Sequence, residues 1–460
     1  MVRPPISLVE NQNPQIDQEE LMAEVEIEAP GSLEMPIESE FDIQISEDGG
    51  AIVDFEPSTD MPDNGFYANL AEDLDDRTLG AVASELTSDF DANKASRQEW
   101  EDAYANGLEL LGFNYSERSE PFRGASGVTH PLLAEAAVQF QAQAFNELLP
   151  AGGPVRTAIV GSADAAKSDQ AQRVKDFMNF YITNVMEEYT PEFDQMLFYL
   201  PLAGSTFKKV YYDEGIDRAV SKFIAAEHLV VPYETADLET CPNITHVVRM
   251  SLNELRKKQI GGFYRDIPVL PQQAVDDDLG SELDRITGIE PSSVDYDCTL
   301  LECHVDLDLE GYEDKGQDGE PTGIKLPYIV TISQDNGQIL SIRRNYREND
   351  QNMEKIQYFV HYKFLPGFGF YGLGLIHTIG GLSRTATAAL RQLIDAGTLS
   401  NLPAGFKARG VRIRNDDDPL NPGEFRDIDV PGGDLKNSII PLPYKEPSAT
   451  LAQLLGVIVD

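Results

Sequence analysis

The chain has 460 residues, 41% of them hydrophobic, with 36 basic side chains against 78 acidic ones and a formal net charge of −42. That length holds about two or three domains and the apolar content fills an ordinary core; the acidity excludes a protein that grips duplex DNA by neutralising its phosphates. No apolar run reaches the roughly 18 residues of a membrane helix, Met1 to Pro14 lack the apolar centre of a secretion signal, and Cys241, Cys298 and Cys303 suggest no disulfide framework, so the chain reads as soluble and cytosolic when made.

Half of the charge lies near the N-terminus, where residues 1–90 carry 23 acids against Arg3 and Arg77. Residues 1–62 are rich in Glu, Asp, Pro, Ser and Gly, show no sustained helical repeat, and read as an acidic disordered arm. Order is expected from residue 63. Residues 66–112 read as helical, with Trp100, Tyr104, Leu108 and Leu111 at helix spacing. Thr129-His130-Pro131 opens a second helix, Thr129 as cap and Pro131 in the first turn. Leu133, Ala137, Phe140, Ala144 and Leu148 make its apolar stripe, and Pro150 to Pro154 end it. A third helix is expected over about 165–188, with Val174, Phe177, Met178, Tyr181 and Val185 turned inward. Thr190-Pro191-Glu192 starts a short fourth.

From Phe207 the period changes to two. Strands are expected at Phe207–Tyr212, Leu229–Pro232 and His246–Arg249. Ser251-Leu252-Asn253-Glu254 is a capping box for a helix ending at Gly261-Gly262. Residues 271–295 read as an acidic loop. Strands resume at Cys298–Leu309 and Lys325–Ser333, Asn336-Gly337 turns a hairpin into Ile339–Asn345, and a further strand covers Ile356–Phe364. A long helix is expected over 372–396. Leu375, Ile379, Leu382, Ala386, Ala389 and Leu393 are spaced as a heptad seam for a near-parallel neighbour. Arg384, Arg391 and Asp395 fall on the opposite face, the last two at i, i+4. Gly397 is expected to stop the helix. Residues 398–447 read as a compact insert of turns and short strands. Ser448 then caps an apolar helix carrying Leu451, Leu454, Leu455 and Ile458. It breaks off at Asp460 with its apolar face unpaired, and more chain is expected beyond it.

Few residues invite chemistry. Gly367-Phe368-Gly369-Phe370-Tyr371-Gly372 fits a dinucleotide fingerprint between a strand and a helix. But Pro366 stiffens its entry, Phe368, Phe370 and Tyr371 would crowd a pyrophosphate, and Asp395 lies inside the helix rather than at a strand end, so the loop reads as a hinge. Cys298 and His304 share one face of a strand, while Cys303 points to the other with Leu301, Val305 and Leu307; core packing is the expected role of Cys303. Asp306 to Gln317 starts like a calcium loop but has Gln317 where a glutamate belongs. No P-loop is present. The basic cluster Lys407, Arg409, Arg412 and Arg414 stands out in so acidic a chain, either as a solvated strand edge or as a contact for an acidic partner or DNA phosphates.

Several strings together resemble the portal, or head–tail connector, proteins of tailed bacteriophages. They are Phe122-Arg123-Gly124-Ala125-Ser126-Gly127-Val128, Pro131-Leu132-Leu133-Ala134-Glu135-Ala136, and Leu148-Leu149-Pro150-Ala151-Gly152-Gly153-Pro154-Val155. Further on come Asn253-Glu254-Leu255-Arg256-Lys257 with Gly262-Phe263-Tyr264-Arg265, then Tyr371-Gly372-Leu373-Gly374, Leu390 to Gly397, and Asn401-Leu402-Pro403-Ala404-Gly405. The likeness spans about residues 110–460.

The resemblance implies an α+β portal fold. It has a mixed α/β wing at 63–370, a first stem helix at 371–397, a small clip at 398–447 and the start of a second stem helix at 448–460, with the tunnel loop and crown absent. It implies a homo-oligomeric ring, commonly of twelve subunits, at one capsid vertex, a channel for packaging and ejection of double-stranded DNA. Terminase, the tail adaptor, and capsid and scaffolding proteins would be its partners, in the host cytoplasm during assembly and then in the virion. No membrane, enzyme activity or cofactor is implied. Lys407, Arg409, Arg412 and Arg414 would serve the clip, and the seam from Leu375 to Leu393 would pack the stem. The alternatives are a nucleotide-binding enzyme using the Gly367–Gly372 loop, and another structural virion component such as a tail adaptor.

Overall fold

The computed structural model describes residues 43–45, 51–53 and 65–459, apart from 114, 116, 163, 214, 270–278, 281–282, 284–285, 287–296, 316–319, 402–404, 408–411, 414–427, 430–438 and 442–443. The chain divides into two units, Met1–Pro62 and Asp63–Asp460. In the first, β1 (Ile43–Ile45) and β2 (Ala51–Val53) form an antiparallel hairpin with Ile43 opposite Val53. The sequence reading placed no strand within this acidic arm. Isoleucine and valine favour the extended backbone of both strands.

The second unit is mixed α+β. It opens with α1 (Asp76–Ser96) and α2 (Gln98–Leu108), followed by α3 (Leu132–Leu148), α4 (Ala165–Phe180) and α5 (Tyr189–Ala203). The single helical run expected at 66–112 therefore breaks at Arg97. Next come β3 (Ser205–Asp213), β4 (Arg218–Ala225), β5 (Leu229–Val230), β6 (Asn243–Ser251) and α6 (Leu252–Ile260). β7 (Asp297–Leu307), β8 (Leu326–Ser333), β9 (Ile339–Arg344) and β10 (Phe359–Lys363) follow. The last described part holds α7 (Leu375–Asn401), the short strands β11 (Gly405–Lys407), β12 (Arg412–Ile413), β13 (Ile428–Asp429) and β14 (Ile439–Pro441), and α8 (Ala449–Val459).

Two antiparallel sheets carry the unit, one ordered β5-β6-β7-β8-β9 and one ordered β10-β3-β4. Local chemistry sets several boundaries. Ser251 caps α6 by accepting the Glu254 amide at 3.3 Å, and Gly337 supplies the positive φ of 65° that the β8–β9 turn requires. On β7, Leu301, Cys303, Val305 and Leu307 pack under Leu79, Leu86 and Phe90 of α1, so Cys303 sits in the core on the expected face. α5 lies on the smaller sheet, where Phe193, Met196 and Leu197 meet Phe140 of α3, Phe223 and Tyr362.

α4 departs from expectation. None of its residues is buried, and Val174, Phe177 and Met178, expected to point inward, are exposed. The stripe was sound as a helical pattern, but among the described residues no element covers it. The stripe of α3 fares better: Leu133 and Ala137 are buried, while Leu148 is exposed.

Between the sheets lies a buried charged cluster. Lys209 of β3 pairs with Glu302 of β7 at 2.5 Å, His304 Nε2 lies 2.8 Å from Glu302 Oε1, and His246 stands directly across from Glu302 on β6. Burial pushes His246 down from its ordinary 6.5 to about 3, outweighing the attraction of Glu302. Burial also pushes His361 down to about 3 and lowers His304. Burial works the other way on Glu302, but Lys209 and His304 overcome it and hold the carboxyl well below its usual range.

The histidines are thus folded in their neutral form, and the unfolded chain takes up their protons first as pH falls below 6.5. Stability is full above that value and declines toward pH 3, by about 1.4 kcal/mol per histidine per pH unit. Glu302 adds the same sign lower down, with a contribution present above 4.5 and lost as pH falls through its depressed folded value. Urea unfolding at pH 7 and pH 5 is expected to show this loss. His361→Gln, which keeps a polar group near Ser205, should flatten the slope by about one histidine's share, roughly 1.4 kcal/mol per unit.

Candidate functional site

Arg97 joins α1 to α2 and is only 1% exposed. Its Nη1 donates to the carbonyls of Ala226 and Leu229 at 3.0 and 2.9 Å and to Tyr371 Oη at 2.8 Å. Its Nη2 donates to the Glu227 carbonyl at 2.7 Å and pairs with Glu101, one turn along α2, at 2.6 Å. Burial disfavours the charge, yet Tyr371 and Glu101 outweigh it and hold the guanidinium above its ordinary value. Tyr371 donates onward to the Leu229 carbonyl at 2.8 Å, and its ring stacks on Trp100 with centroids 4.7 Å apart. One buried cation therefore fixes α2, the 226–229 stretch and the loop that launches α7.

That loop contains the glycine motif. A Cβ on Gly372 would lie 2.4 Å from the Gly204 carbonyl oxygen, and one on Gly374 would lie 2.1 Å from that of Leu202. Gly204 itself has φ +83° and ends α5. At Gly369 a Cβ would strike the Tyr233 ring at 2.4 Å, and at Gly367 the Tyr371 carbonyl oxygen at 2.5 Å. The glycines let two backbones cross, and Phe370 and Tyr371 fill the space beneath. The loop was read as a hinge; Gly369 to Gly374 are packed against Tyr233, Leu202 and Gly204, while Pro366 and Phe368 at its entry are exposed. A pyrophosphate cradle needs open backbone amides, and those of Phe370, Gly372 and Gly374 are already bonded to Tyr233, Ser205 and His377.

α7 begins at Leu375 and runs through Gly397 to Asn401. It starts three residues later than expected because the ladder begins at the Gly374 carbonyl, which accepts from Thr378 at 3.2 Å. Its buried residues are Ile376, Gly380, Ser383, Ala386, Thr387, Ala389 and Asp395. Within the expected seam, Ala386 and Ala389 are buried, Leu375 and Ile379 pack on the edge of the main core, Leu393 is half-buried, and Leu382 is 51% exposed. Arg384 stays exposed, beside an open cleft of about 390 Å³ between α2 and α7.

The expected solvent face is corrected at Arg391 and Asp395. Asp395 is buried, and its Oδ1 accepts the Ser126 amide at 2.7 Å. Arg391 Nε donates to the Val128 carbonyl at 2.7 Å, and its Nη2 reaches Thr129 Oγ1 at 3.2 Å. Thr387 Oγ1 accepts the His130 amide at 3.1 Å. Residues 387, 391 and 395 are spaced i, i+4, i+8 and form a polar rail. Along it lies the extended stretch Ser126–His130, which leads into α3. The heptad count turned the helix toward its leucines, whereas the chain buries small and polar side chains against backbone groups that need partners.

Past α7 the chain makes two small antiparallel pairs, β11 with β14 and β12 with β13, before α8 returns alongside α7. Lys407 lies in β11 opposite Ile439, and Arg412 lies in β12 opposite Asp429. Arg409 and Arg414 lie outside the described residues. α8 has no buried residue. Among the described residues, no group of three His, Cys, Asp or Glu could hold a metal ion, and no helix is long and apolar enough to cross a membrane. Neither a protein-family model nor a curated protein matches the chain.

Sequence reasoning missed Arg97, Glu101, Ser126 and Thr387. Arg97 and Glu101 stand at i, i+4, a pattern visible in the sequence, but nothing there marks the pair as buried. The rail is testable. Asp395→Ala should leave the Ser126 amide unpaired and cost about 1–3 kcal/mol. Hydrogen exchange at Ser126 should accelerate while the amides of α7 keep their protection. Unchanged exchange at Ser126 would show that the rail holds nothing.

Proposed function

We propose that this chain is a phage portal protein, assembling as a ring at one capsid vertex through which DNA is packaged and ejected. The observation that carries the reading is chain order in space. A long helix, a β insert and a second helix lying back along the first form a hairpin tipped by small strands. This order is what the stem, clip and stem implied by the sequence resemblance would give, with residues 63–370 as the wing. Exposure on this hairpin supports it: Leu382 and Ile394 of α7 and Val457 of α8 lack cover in the single chain, as expected where neighbouring copies pack. The formal charge of −42 adds a second support. An acidic wall repels phosphates, so a duplex can slide past it without being held.

In this reading the ring commonly holds twelve subunits. Terminase and the tail adaptor meet the clip, capsid and scaffolding proteins are further partners, and the motor's ATP chemistry belongs to terminase. Assembly takes place in the host cytoplasm and the product resides in the virion. The packed glycines at 367–374 weigh against the nucleotide-enzyme alternative.

Mass photometry and electron microscopy of the purified chain are expected to show closed rings with a central channel. A population of monomers at micromolar concentration would reject the reading. Given rings, deletion of residues 1–62 should leave them intact, since mutually repelling acidic segments oppose assembly rather than drive it. Replacing Lys407, Arg409, Arg412 and Arg414 together with Ser should weaken binding of terminase or adaptor to the ring, with a deficit largest at low salt. Unchanged binding would return the cluster to a solvated strand edge.

A further inference from the structure

The smaller sheet ends at β4, and an end strand carries a row of backbone amides that no neighbouring strand bonds. Val210 of β3, opposite Ser221, sends its amide away from β4 to the Tyr358 carbonyl. The register therefore turns the amides of Ala219, Ser221 and Phe223 to the free side of β4. Each is met by a side chain. Tyr181 Oη accepts from Ala219 at 2.9 Å, Glu188 Oε1 from Ser221 at 3.2 Å, and Glu192 Oε2 from Phe223. Arg218 Nη1 donates to the Ala219 carbonyl at 3.3 Å and pairs with Glu188 at 2.7 Å. Acceptors at alternate amides along an edge are what another strand would supply.

The three acceptors belong to one short stretch, a π-helical turn (Tyr181–Val185) that follows α4 and the first turn of α5. Such turns are rare and are frequent at functional positions. The stretch bonds its carboxylates to the edge although a buried cation lies beneath it. Lys208 of β3 is 3% exposed, and its Nζ sits 4.1 and 5.1 Å from the ring centres of Tyr189 and Phe193, with no hydrogen-bond partner among the described residues. A related device closes β9, the end strand of the larger sheet. There Asn69 Oδ1 accepts the Ile342 amide at 3.0 Å, and its Nδ2 donates to the Leu340 carbonyl at 3.1 Å. Both end strands thus give amides to side chains from outside the sheet, and a further strand could take them only by displacing those side chains.

We propose that Tyr181, Glu188 and Glu192 act as a guard that stands in for a missing strand and keeps β4 of one copy from pairing with β4 of another. An unguarded β4 is self-complementary. Two copies related by a twofold axis would join edge to edge, antiparallel, into one continuous sheet. The inference rests on contacts within the second unit and not on the portal reading.

The test uses the full chain with Glu188→Ala and Glu192→Ala combined. Its companion combines Glu188→Gln and Glu192→Gln, whose side-chain oxygens still accept. In dilute solution, hydrogen exchange at Ser221 and Phe223 is expected to quicken about tenfold in the Ala variant and to stay near the wild-type rate in the Gln variant. In concentrated solution, sedimentation velocity should show the Ala variant alone forming species larger than wild type forms at the same concentration. A folded Ala variant overturns the inference if its edge amides exchange at the wild-type rate, or if they exchange faster and no larger species appears. Larger species from the Gln variant overturn it as well. Tyr181→Phe, which deletes one hydroxyl, covers an Ala variant that does not fold. Exchange at Ala219 should then quicken, and an unchanged rate there rejects the guard.

Discussion

A buried guanidinium sets the terms for the second unit. Removing a charge from water costs several kcal/mol unless its hydrogen-bonding capacity is met. The two Nη groups of Arg97 meet that demand with Glu101, three backbone carbonyls and Tyr371, while its Nε is buried without a hydrogen-bond partner among the described residues. These groups come from sequence positions more than 100 residues apart, so the fold that satisfies Arg97 must bring α2, the 226–229 stretch and residue 371 to one point. Trp100 closes the site by stacking on Tyr371. An apolar residue at 97 would ask for burial but would not dictate direction. The planar donor fork of arginine does, and this is why one side chain can hold three segments in register.

The constraint propagates along α7. Tyr371 is followed at once by Gly372, whose backbone crosses Gly204 with no space for a side chain. The helix launched at Leu375 is therefore fixed in position and in rotation about its axis. That rotation places Thr387, Arg391 and Asp395 against the Ser126–His130 backbone and turns Leu382 outward. At 27 residues α7 extends about 40 Å, which carries the β insert far from the buried node. A rigid origin and a long lever are what an element needs if it is to present a small binding module at a distance.

Legibility followed the range of the interaction. The Ser251 cap, the Asn336-Gly337 turn and the alternation of Cys303 and His304 to opposite faces of β7 were readable because each depends on neighbours within a few residues. The strand Arg218–Ala225 was not read, since Lys222 and Ser221 blur its alternation and its support comes from β3. The face of α7 was misjudged for a related reason. Periodicity weighs apolar side chains, but α7 buries Gly380, Ser383, Thr387 and Asp395 because they fit under, or bond to, segments more than 100 residues distant. Arg97 fails in the same way: in sequence, a cation between two helices looks like a solvated joint. The hairpin β1–β2 escaped because its strands are only three residues each, too short for a period to register.

α4 and α8 present the opposite case, where the pattern was legible and the chain alone does not use it. Both have apolar positions at helical spacing and neither buries a side chain. Net charge of −42 works against bringing copies together, so electrostatics at long range cannot be the drive for assembly. If copies assemble as proposed, the attraction would come from surfaces that gain on contact, where apolar area leaves water and charge is locally of the opposite sign. α4 has that combination, with exposed phenylalanines flanked by lysine and arginine. Because repulsion is screened over about 10 Å in ordinary salt while apolar contact is not, such a chain can stay dispersed at low concentration and still associate in one register. In the proposed ring, the uncovered faces of α4 and α8 are where contact with neighbouring copies would remove apolar area from water.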